Sequence, residues 1–435
     1  MKALALTASL VVTVGGLFAQ PATTPVFWPD KQGPTLNGMV PESEAGALPL
    51  EWTEAAGKGI AWKTPLENEG HSTPVIGGDM IWFTAATTDG TKMYLYGINR
   101  NDGKILHHKL MFENPNPEPL GNPTNNYAAP SCVLEADALY VHFGTYGTAR
   151  VNPASGEVVW QRRDIKCRHF RGPGSSPVLF ENLIILTFDG IEDDQFTIAL
   201  DKATGRDVWR TKRSTTDYGD LDKDGKPTRD GDMRKAFCTP AFIMVDGRTQ
   251  MLSCASRAAF GYDPRTGKEL WTLHHTGYNA AIRPVVQGGV AYINTGKDLI
   301  ALKVDGGTQG DVTGKHLWVR DRHNASFSST VLVNDHIIQA NAACVANCVD
   351  LKDGTDTWSE RLFTGAGKMF ASAIATKDRV YFFSENGEGT VLATDPRKFT
   401  VLARNKLDSG MTSSPVAADG ALYLRTKTHL YKIVK

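Results

Sequence analysis

The stretch DKATGRDVWR, residues 201–210, places a tryptophan four positions after the glycine of a turn. The same phrase returns as NPASGEVVWQ at residues 152–161 and DPRTGKELWT at residues 263–272, with weaker copies at 311–319 and 350–359. Asp201 can accept hydrogen bonds from the turn amides, and Gly205 can take the positive φ that the turn needs. Because the phrase recurs, we interpret it as a joint between repeated units rather than as a single site.

Two independent markers divide the chain into eight units. The first is the tryptophan place of each phrase, which recurs about every 45 residues and falls at Trp62, His107, Trp160, Trp209, Trp271, Trp318, Trp358 and Ala403. The second is a small residue before a proline and an apolar residue, found at Pro74, Pro130, Pro177, Pro240, Pro284 and Pro415, with degenerate versions at Thr330 and Ala373. Both markers give the same number of units.

Each unit has the pattern of a four-stranded blade. A segment such as SPVLFENLIILTF, residues 176–188, shows two apolar runs around a tight turn, and a third run precedes the glycine turn and the tryptophan strand. We therefore predict an all-β fold, an eight-bladed β-propeller of four-stranded antiparallel blades over residues 57–435. The last unit ends after three strands, and GIAWKTPL at residues 59–66 supplies a fourth. The N-terminal strand is thus predicted to close the ring.

The repeats resemble the PQQ-binding-like β-propeller repeat family over about residues 57–435. Its docking motif, Asp-x-x-Thr-Gly-x-x-x-Trp, is matched in full at Asp201, Thr204, Gly205 and Trp209, and again at Asp263, Thr266, Gly267 and Trp271. The resemblance implies two different functions. Quinoprotein alcohol dehydrogenases bind pyrroloquinoline quinone (PQQ) and calcium beneath an adjacent cysteine pair, whereas a lipoprotein relative is a scaffold of the outer-membrane β-barrel assembly machine.

This chain departs from both relatives. It has no Cys-Cys dipeptide, which argues against PQQ as a cofactor and against dehydrogenase chemistry. No cysteine follows the apolar run at the N-terminus, which argues against a lipid-anchored equivalent of the scaffold. The six cysteines are irregularly spaced, and we interpret them as small buried side chains rather than as a disulfide framework.

The N-terminus and the charge balance limit where the protein acts. Residues 1–19 have a basic start, an apolar run and small residues, as in a secretory signal peptide, and residues 20–56 lead into the propeller. We predict a periplasmic or secreted protein with no integral membrane span after signal cleavage. Basic and acidic residues number 47 each, so the chain has no bulk attraction to nucleic acid.

Long connections mark one face of the predicted ring. They cover residues 113–126, 189–195 and 214–235, and such loops on a rigid scaffold usually carry binding. The second of them is acidic, with Asp189, Glu192, Asp193 and Asp194. The third contains DLDKDG, in which Asp220, Asp222 and Asp224 resemble the opening of a calcium loop. A solvated acidic turn is the alternative to a Ca²⁺ site.

The central channel contains one unusual residue. The position before the marker proline is small in seven units but is Arg283 in the fifth. Its guanidinium could clamp a carboxylate or phosphate, or it could donate to inward-facing carbonyls and plug the channel. Candidate ligand-binding residues on nearby approach segments are Arg171, His169, His71, Tyr278 and His323.

No catalytic motif is recognisable, and we assign no catalytic residue. The sequence favours a non-catalytic exported binding or scaffolding protein whose loop-rich face engages a protein, a glycan or another cell-envelope component. A PQQ- or metal-dependent oxidoreductase is the alternative.

Overall fold

The computed structural model describes residues 25–121, 124–191, 195–226, 228, 231–363, 365 and 367–435. Within them, eight sheets, antiparallel apart from one short parallel pair, form the predicted eight-bladed all-β propeller. The predicted signal segment, residues 1–19, lies outside the described residues, as do Glu192, Asp193 and Asp194 of the predicted acidic loop. No helix in the described part of the chain has the length and apolarity that a membrane crossing requires.

Strands are numbered in chain order and run from the channel outward within each blade. Blade one holds β1 (Val26–Trp28), β3 (Val75–Gly77), β4 (Met80–Ala86), β5 (Lys92–Asn99) and β6 (Ile105–Glu113); β2 (Ile60–Pro65) belongs to blade eight. Blade two holds β7 (Val133–Leu134), β8 (Leu139–His142), β9 (Thr148–Val151) and β10 (Val158–Arg162). Blade three holds β11 (Val178–Phe180), β12 (Leu183–Phe188), β13 (Phe196–Asp201) and β14 (Asp207–Lys212). Blade four holds β15 (Ala241–Val245), β16 (Arg248–Cys254), β17 (Ala258–Tyr262) and β18 (Glu269–His274).

The second half of the ring continues the pattern. Blade five holds β19 (Val285–Gln287), β20 (Val290–Asn294), β21 (Leu299–Lys303) and β23 (Trp318–Arg320), while β22 (Gly310–Asp311) joins blade four. Blade six holds β24 (Val331–Val333), β25 (His336–Ala340), β26 (Val345–Asp350) and β27 (Asp356–Arg361). Blade seven holds β28 (Ile374–Ala375), β29 (Arg379–Phe383), β30 (Glu388–Ala393) and β31 (Val401–Lys406). Blade eight holds β32 (Val416–Ala418), β33 (Ala421–Arg425), β34 (His429–Ile433) and β2. A short helix, α1 (Glu42–Ala45), and two 3₁₀ turns (Gly144–Tyr146, Asp232–Arg234) lie between strands.

The N-terminal strand closes the ring, as predicted. β2 pairs antiparallel with β34, and Trp62 lies opposite Lys432 in the register. Residues that precede the first blade and residues at the C-terminus therefore share one sheet, and β2 covers the edge that β34 would otherwise expose.

The tryptophans join neighbouring blades, which confirms the interpretation of the opening phrase. Five indole N–H groups donate to a turn carbonyl of the next blade at 2.9–3.2 Å: Trp62 to Arg100, Trp160 to Lys202, Trp209 to Pro264, Trp318 to Leu351 and Trp358 to Asp395. Glycine is required beneath the indole, because a Cβ added at Gly205 would lie 2.7 Å from the Trp160 side chain. The repeated phrase thus provides an aromatic side chain to one neighbour and a glycine platform to the other.

Trp271 is the exception. Its indole donates to Gln250 of its own blade at 2.9 Å and packs on Gly261. Residues 304–317, between β21 and β23, form an insertion whose strand β22 pairs parallel with β18. The insertion covers the outer edge of blade four, which buries Trp271 and redirects its indole.

The two faces of the ring differ. The loop face carries the connections from the second to the third strand and from one blade to the next; Leu407 N–H donates to Gly387 at 2.9 Å between two such connections. The turn face carries the remaining turns. From there the N-terminal arm, residues 25–59, crosses the channel: Pro29 accepts from Leu134 of blade two, Asp30 accepts from Arg283 of blade five, and Val40 donates to Ala375 of blade seven. The arm closes the channel from the turn face and leaves its loop-face end open.

Candidate functional site

A cavity of about 300 Å³ lies at the loop-face end of the channel. Lys31 of the N-terminal arm lies at its base. Inner-strand hydroxyls and three phenylalanines form its walls, and residues from the long blade connections form its rim. The cavity is therefore formed jointly by the rigid ring and by the long connections between blades.

A belt of hydroxyls surrounds this cavity. Six backbone N–H groups donate to the hydroxyl of the equivalent residue in the next blade at 2.8–3.3 Å: Ser329 to Ser372, Ser372 to Ser414, Ser414 to Thr73, Thr73 to Ser131, Ser131 to Ser176, and Ser176 to Thr239. These contacts explain the small residues before the marker prolines. In blade two the register differs from the sequence prediction, because Ser131, after Pro130, takes the place expected for Ala129.

Arg283 stands where the belt has its gap. The residue is 1% exposed. Its Nη1 donates to Asp30 Oδ2 of the N-terminal arm at 2.6 Å, and its Nε donates to the Pro240 carbonyl at 2.9 Å. In the structure its partners are thus a carbonyl and a carboxylate of the chain itself. A role for Arg283 in binding an external ligand stays a prediction.

Lys31, the arm residue after Asp30, reaches the cavity. Asp30 also accepts the backbone N–H of Gln32 at 2.7 Å, so both of its carboxylate oxygens have donors within the protein. Lys31 makes no hydrogen bond or ion pair with the described part of the chain. Burial, followed by repulsion from Arg283, lowers the pKa of Lys31 to about 8. A half-buried ammonium therefore lies at the cavity base without a counter-ion among the described residues.

Aromatic side chains form one wall. Phe327 and Phe370 stack with their centroids 5.0 Å apart, and His71 stacks on Phe370 at 6.3 Å. Burial lowers the pKa of His71 to about 3, and the Arg425 guanidinium contributes to the same shift. His71 is therefore neutral at pH 7 and extends the aromatic wall without adding charge.

Arg171 lies at the rim of the cavity. Its Nε donates to Asp232 at 3.2 Å, and its guanidinium lies 4.4 Å from the ring centroid of Phe170. The structure thus brings Arg171 and His71 into one cavity. Both were candidates from the sequence, and their part in ligand binding stays a prediction.

The other candidates lie apart from the cavity. His169 is buried behind the rim, with Nδ1 3.2 Å from the Lys235 ammonium. Tyr278 precedes the lining residue Asn279 but does not itself line the cavity. His323 is exposed in a separate surface depression with Lys297 and Asn324, between blades five and six. No single site combines all six predicted residues.

The three aspartates of the predicted calcium loop point in different directions. Asp220 is buried, and its carboxylate accepts two hydrogen bonds from Arg234. Asp222 accepts the backbone N–H groups of Asp224 and Lys226, as in a self-capped turn. In the described residues these carboxylates do not form a metal-binding group. The calcium hypothesis stays a prediction. All six cysteines are buried, and none of them forms a disulfide bond.

Two buried histidines make the fold sensitive to acid. Burial lowers the pKa of His142 to about 3 and, together with the Lys235 charge, lowers that of His169 well below its usual value. Below pH 6.5 these histidines bind protons in the unfolded chain but stay neutral in the folded protein. The free energy of unfolding therefore has its full value above pH 6.5 and falls as the pH drops. Each histidine contributes up to about 1.4 kcal/mol per pH unit. Urea unfolding between pH 7.5 and pH 5.5 should show this slope, and His142→Gln should reduce it; an unchanged slope would contradict the assignment.

Sequence reasoning missed Lys31 and placed the belt hydroxyl of blade two at the wrong residue. A weak signal existed for Lys31, since PDKQGP at residues 29–34 is polar and turn-forming directly after the buried Trp28. Nothing in the repeat pattern indicates that this segment enters the channel, because it belongs to no repeat.

Comparison with known proteins agrees with this architecture. A family model described as outer membrane protein assembly factor BamB matches residues 50–166 and 193–434. No curated protein is significantly similar in sequence.

Three solved structures share the fold at low sequence identity. The quinohemoprotein alcohol dehydrogenase of Comamonas testosteroni has a TM-score of 0.64 and 12% identity, over 95% of this chain and 81% of that one. BamB of Moraxella catarrhalis has a TM-score of 0.57 and 11% identity, over 86% and 99%. The C-terminal WD40 domain of Sif2 has a TM-score of 0.55 and 12% identity, over 86% and 97%. These likenesses show the fold alone. Because that family model matches most of the chain, the chain belongs to the family of PQQ-like β-propellers, whose model is described as outer membrane protein assembly factor BamB.

Proposed function

We propose that this protein is an exported, non-catalytic binding protein that engages a component of the cell envelope through its loop face. The observation that carries the proposal is the asymmetry of the ring. The N-terminal arm covers the channel on the turn face, while the loop face presents an open cavity and the longest connections. Variable loops on a rigid ring are a common arrangement for recognition.

A protein partner is the first choice among envelope components. The matched family is described as an assembly factor, and one of the similar structures is BamB. A protein partner also needs a large contact area, and a wide face built from several connections offers more area than the small cavity alone. A glycan or another envelope component is the remaining option.

A quinone- and calcium-dependent oxidoreductase is the second candidate, favoured by the structural likeness to quinohemoprotein alcohol dehydrogenase. The donor set of the described cavity does not fit that pair of groups. Asp232 is the lining carboxylate there, and its Oδ1 already accepts from Arg171. The remaining described walls are mainly hydroxyls, amides and phenylalanines, which are poor replacements for a cluster of calcium-binding carboxylates. We therefore derive no reaction step through a quinone.

Site-specific photo-crosslinking in intact cells tests the proposal. A crosslinking residue at Lys368, exposed on the loop face, should give a discrete adduct. The same residue at Lys352, exposed in a turn of blade six on the opposite face, is the matched control and should give none. An adduct formed from position 352 alone would reverse the assignment of faces.

An activity measurement separates the two candidates. Purified protein incubated with PQQ and Ca²⁺ should show no saturable binding by absorbance and no dye-linked oxidation of alcohols. Dye reduction that depends on both additions would overturn the non-catalytic proposal.

A further inference from the structure

The base of the loop-face cavity offers a positive charge. Lys31 lines the cavity, while its neighbour Asp30 is committed to Arg283 at 2.6 Å. The ammonium of Lys31 has no hydrogen-bond acceptor within the described residues. Lys31 is half-buried, so its ammonium has lost part of its hydration, and an anion at this place would be stabilising.

The walls offer hydrogen-bond donors in the same space. Thr73, Ser131, Ser372 and Ser414 line the cavity, and each hydroxyl accepts a backbone N–H from the belt. A hydroxyl has one proton of its own to donate. None of these four protons has an acceptor in the part of the chain that the structure describes. The belt therefore presents O–H donors to the same cavity as the Lys31 ammonium.

The charge around the cavity also favours an anion. Asp232 at the rim is bound to Arg171 at 3.2 Å and leaves no net charge. Arg425, behind the His71 wall, is 1% exposed and donates to Ser72 and to the Thr84 carbonyl, with no carboxylate among its hydrogen-bond partners. Arg425 thus adds positive potential behind the cavity wall, which the nearby Glu69 carboxylate offsets in part.

The remaining wall fits an apolar group. Phe327 and Phe370 stack at 5.0 Å, and neutral His71 continues their surface. The cavity volume of about 300 Å³ is at the small end of the range for ligand sites. The single cation of Lys31 balances one negative charge, which favours a monoanion over inorganic phosphate.

We propose that the loop-face end of the channel binds a small organic monocarboxylate, with the carboxylate held by Lys31 and the belt hydroxyls and an aromatic or apolar body against Phe327 and Phe370. This inference deepens the proposed function by giving the loop face a small-molecule ligand, and it rests on that face being the binding face. The bound carboxylate would replace the missing counter-ion of Lys31.

The charge state of Lys31 gives the site a pH dependence. The groups facing its ammonium are Arg283 of blade five, Asp30 of the arm and Cys238 of blade four. Burial raises the pKa of Cys238 to about 11, so this thiol stays neutral up to pH 9. Only protonated Lys31 binds the carboxylate, and its pKa of about 8 predicts that Kd rises about tenfold between pH 7 and pH 9.

Fluorine NMR with 4-fluorobenzoate tests the site on the full-length protein. We expect saturable binding at pH 7 and none of the uncharged analogue 4-fluorobenzyl alcohol at the same concentration. Lys31→Met keeps a similar side-chain shape without the charge and should raise Kd by about tenfold or more. Lys368→Met, an exposed lysine on the same face, is the matched control and should leave Kd unchanged.

A second variant guards against a folding artefact. Ala281→Phe narrows the cavity without changing its charge and should also abolish binding, while the circular dichroism spectrum of both variants stays that of the parent. Equal affinity of Lys31→Met and the parent protein overturns the inference, as does absence of binding by the parent. Tighter binding of inorganic phosphate than of 4-fluorobenzoate also overturns it. Loop-face crosslinking that persists in Lys31→Met would leave the proposed function intact when the carboxylate site fails.

Discussion

Replacing Arg283 with methionine is expected to lower the free energy of unfolding by about 3–5 kcal/mol. The guanidinium is buried against Asp30 at 2.6 Å, and the Asp30 side chain is itself only 7% exposed. Methionine fills a similar volume but leaves the Asp30 carboxylate buried without its cation. The penalty for an unpaired buried charge, rather than the loss of one favourable contact, sets the size of the effect.

Urea unfolding of four proteins measures this coupling. Arg283→Met and Asp30→Asn should each be destabilising, and the double variant should recover much of the loss because no unpaired charge remains. Arg206→Met, an exposed arginine in a turn of blade three, is the control and should change stability by less than about 0.5 kcal/mol. Additive losses in the double variant would show that the two groups do not act as a pair.

The ring could be predicted from the sequence because its contacts repeat. Six of the eight units reuse the tryptophan and most reuse the glycine turn before it, so a local pattern specifies both the fold and the joints. The pairing of β2 with β34 was also predictable, since the last unit lacked exactly one strand. The insertion that buries Trp271 was not, because its strand β22 consists of Gly310 and Asp311, which have no strand-like pattern.

The candidate site could be predicted only in part, because it depends on contacts that do not repeat. Arg283 was identifiable as the odd residue among small ones. Its partner Asp30 lies 253 positions earlier in the chain, in a segment without repeats. The belt residue of blade two was predicted wrongly for a related reason. Pro130 lies two residues farther from the start of its inner strand than the marker prolines of other blades do, so the hydroxyl follows the proline instead of preceding it. Such tertiary placement sets the chemistry of the cavity, and a one-dimensional pattern does not contain it.

Trp318→Ala is expected to cost about 3–5 kcal/mol of unfolding free energy. The indole packs between Tyr292, 5.8 Å away by ring centroids, and Gly354 of the next blade, and its N–H donates to the Leu351 carbonyl at 2.9 Å. Truncation removes apolar contact from both sides of the blade boundary and leaves that carbonyl without its donor. The loss should be cooperative, because a gap between two blades weakens the whole closed ring.

Matched substitutions at the same joint separate packing from position. Leu317→Ala, one residue earlier and 56% exposed, should stay within about 0.5 kcal/mol of the parent. Gly354→Ala should be destabilising from the opposite side, because its backbone has φ +77° and an added Cβ would lie 2.7 Å from the Trp318 ring. If Trp318→Ala costs no more than Leu317→Ala in urea unfolding, the indole does not hold the blades together. A large loss of unfolding free energy in both Trp318→Ala and Gly354→Ala, but not in Leu317→Ala, would place the stabilisation at the contact between the Trp318 indole and Gly354.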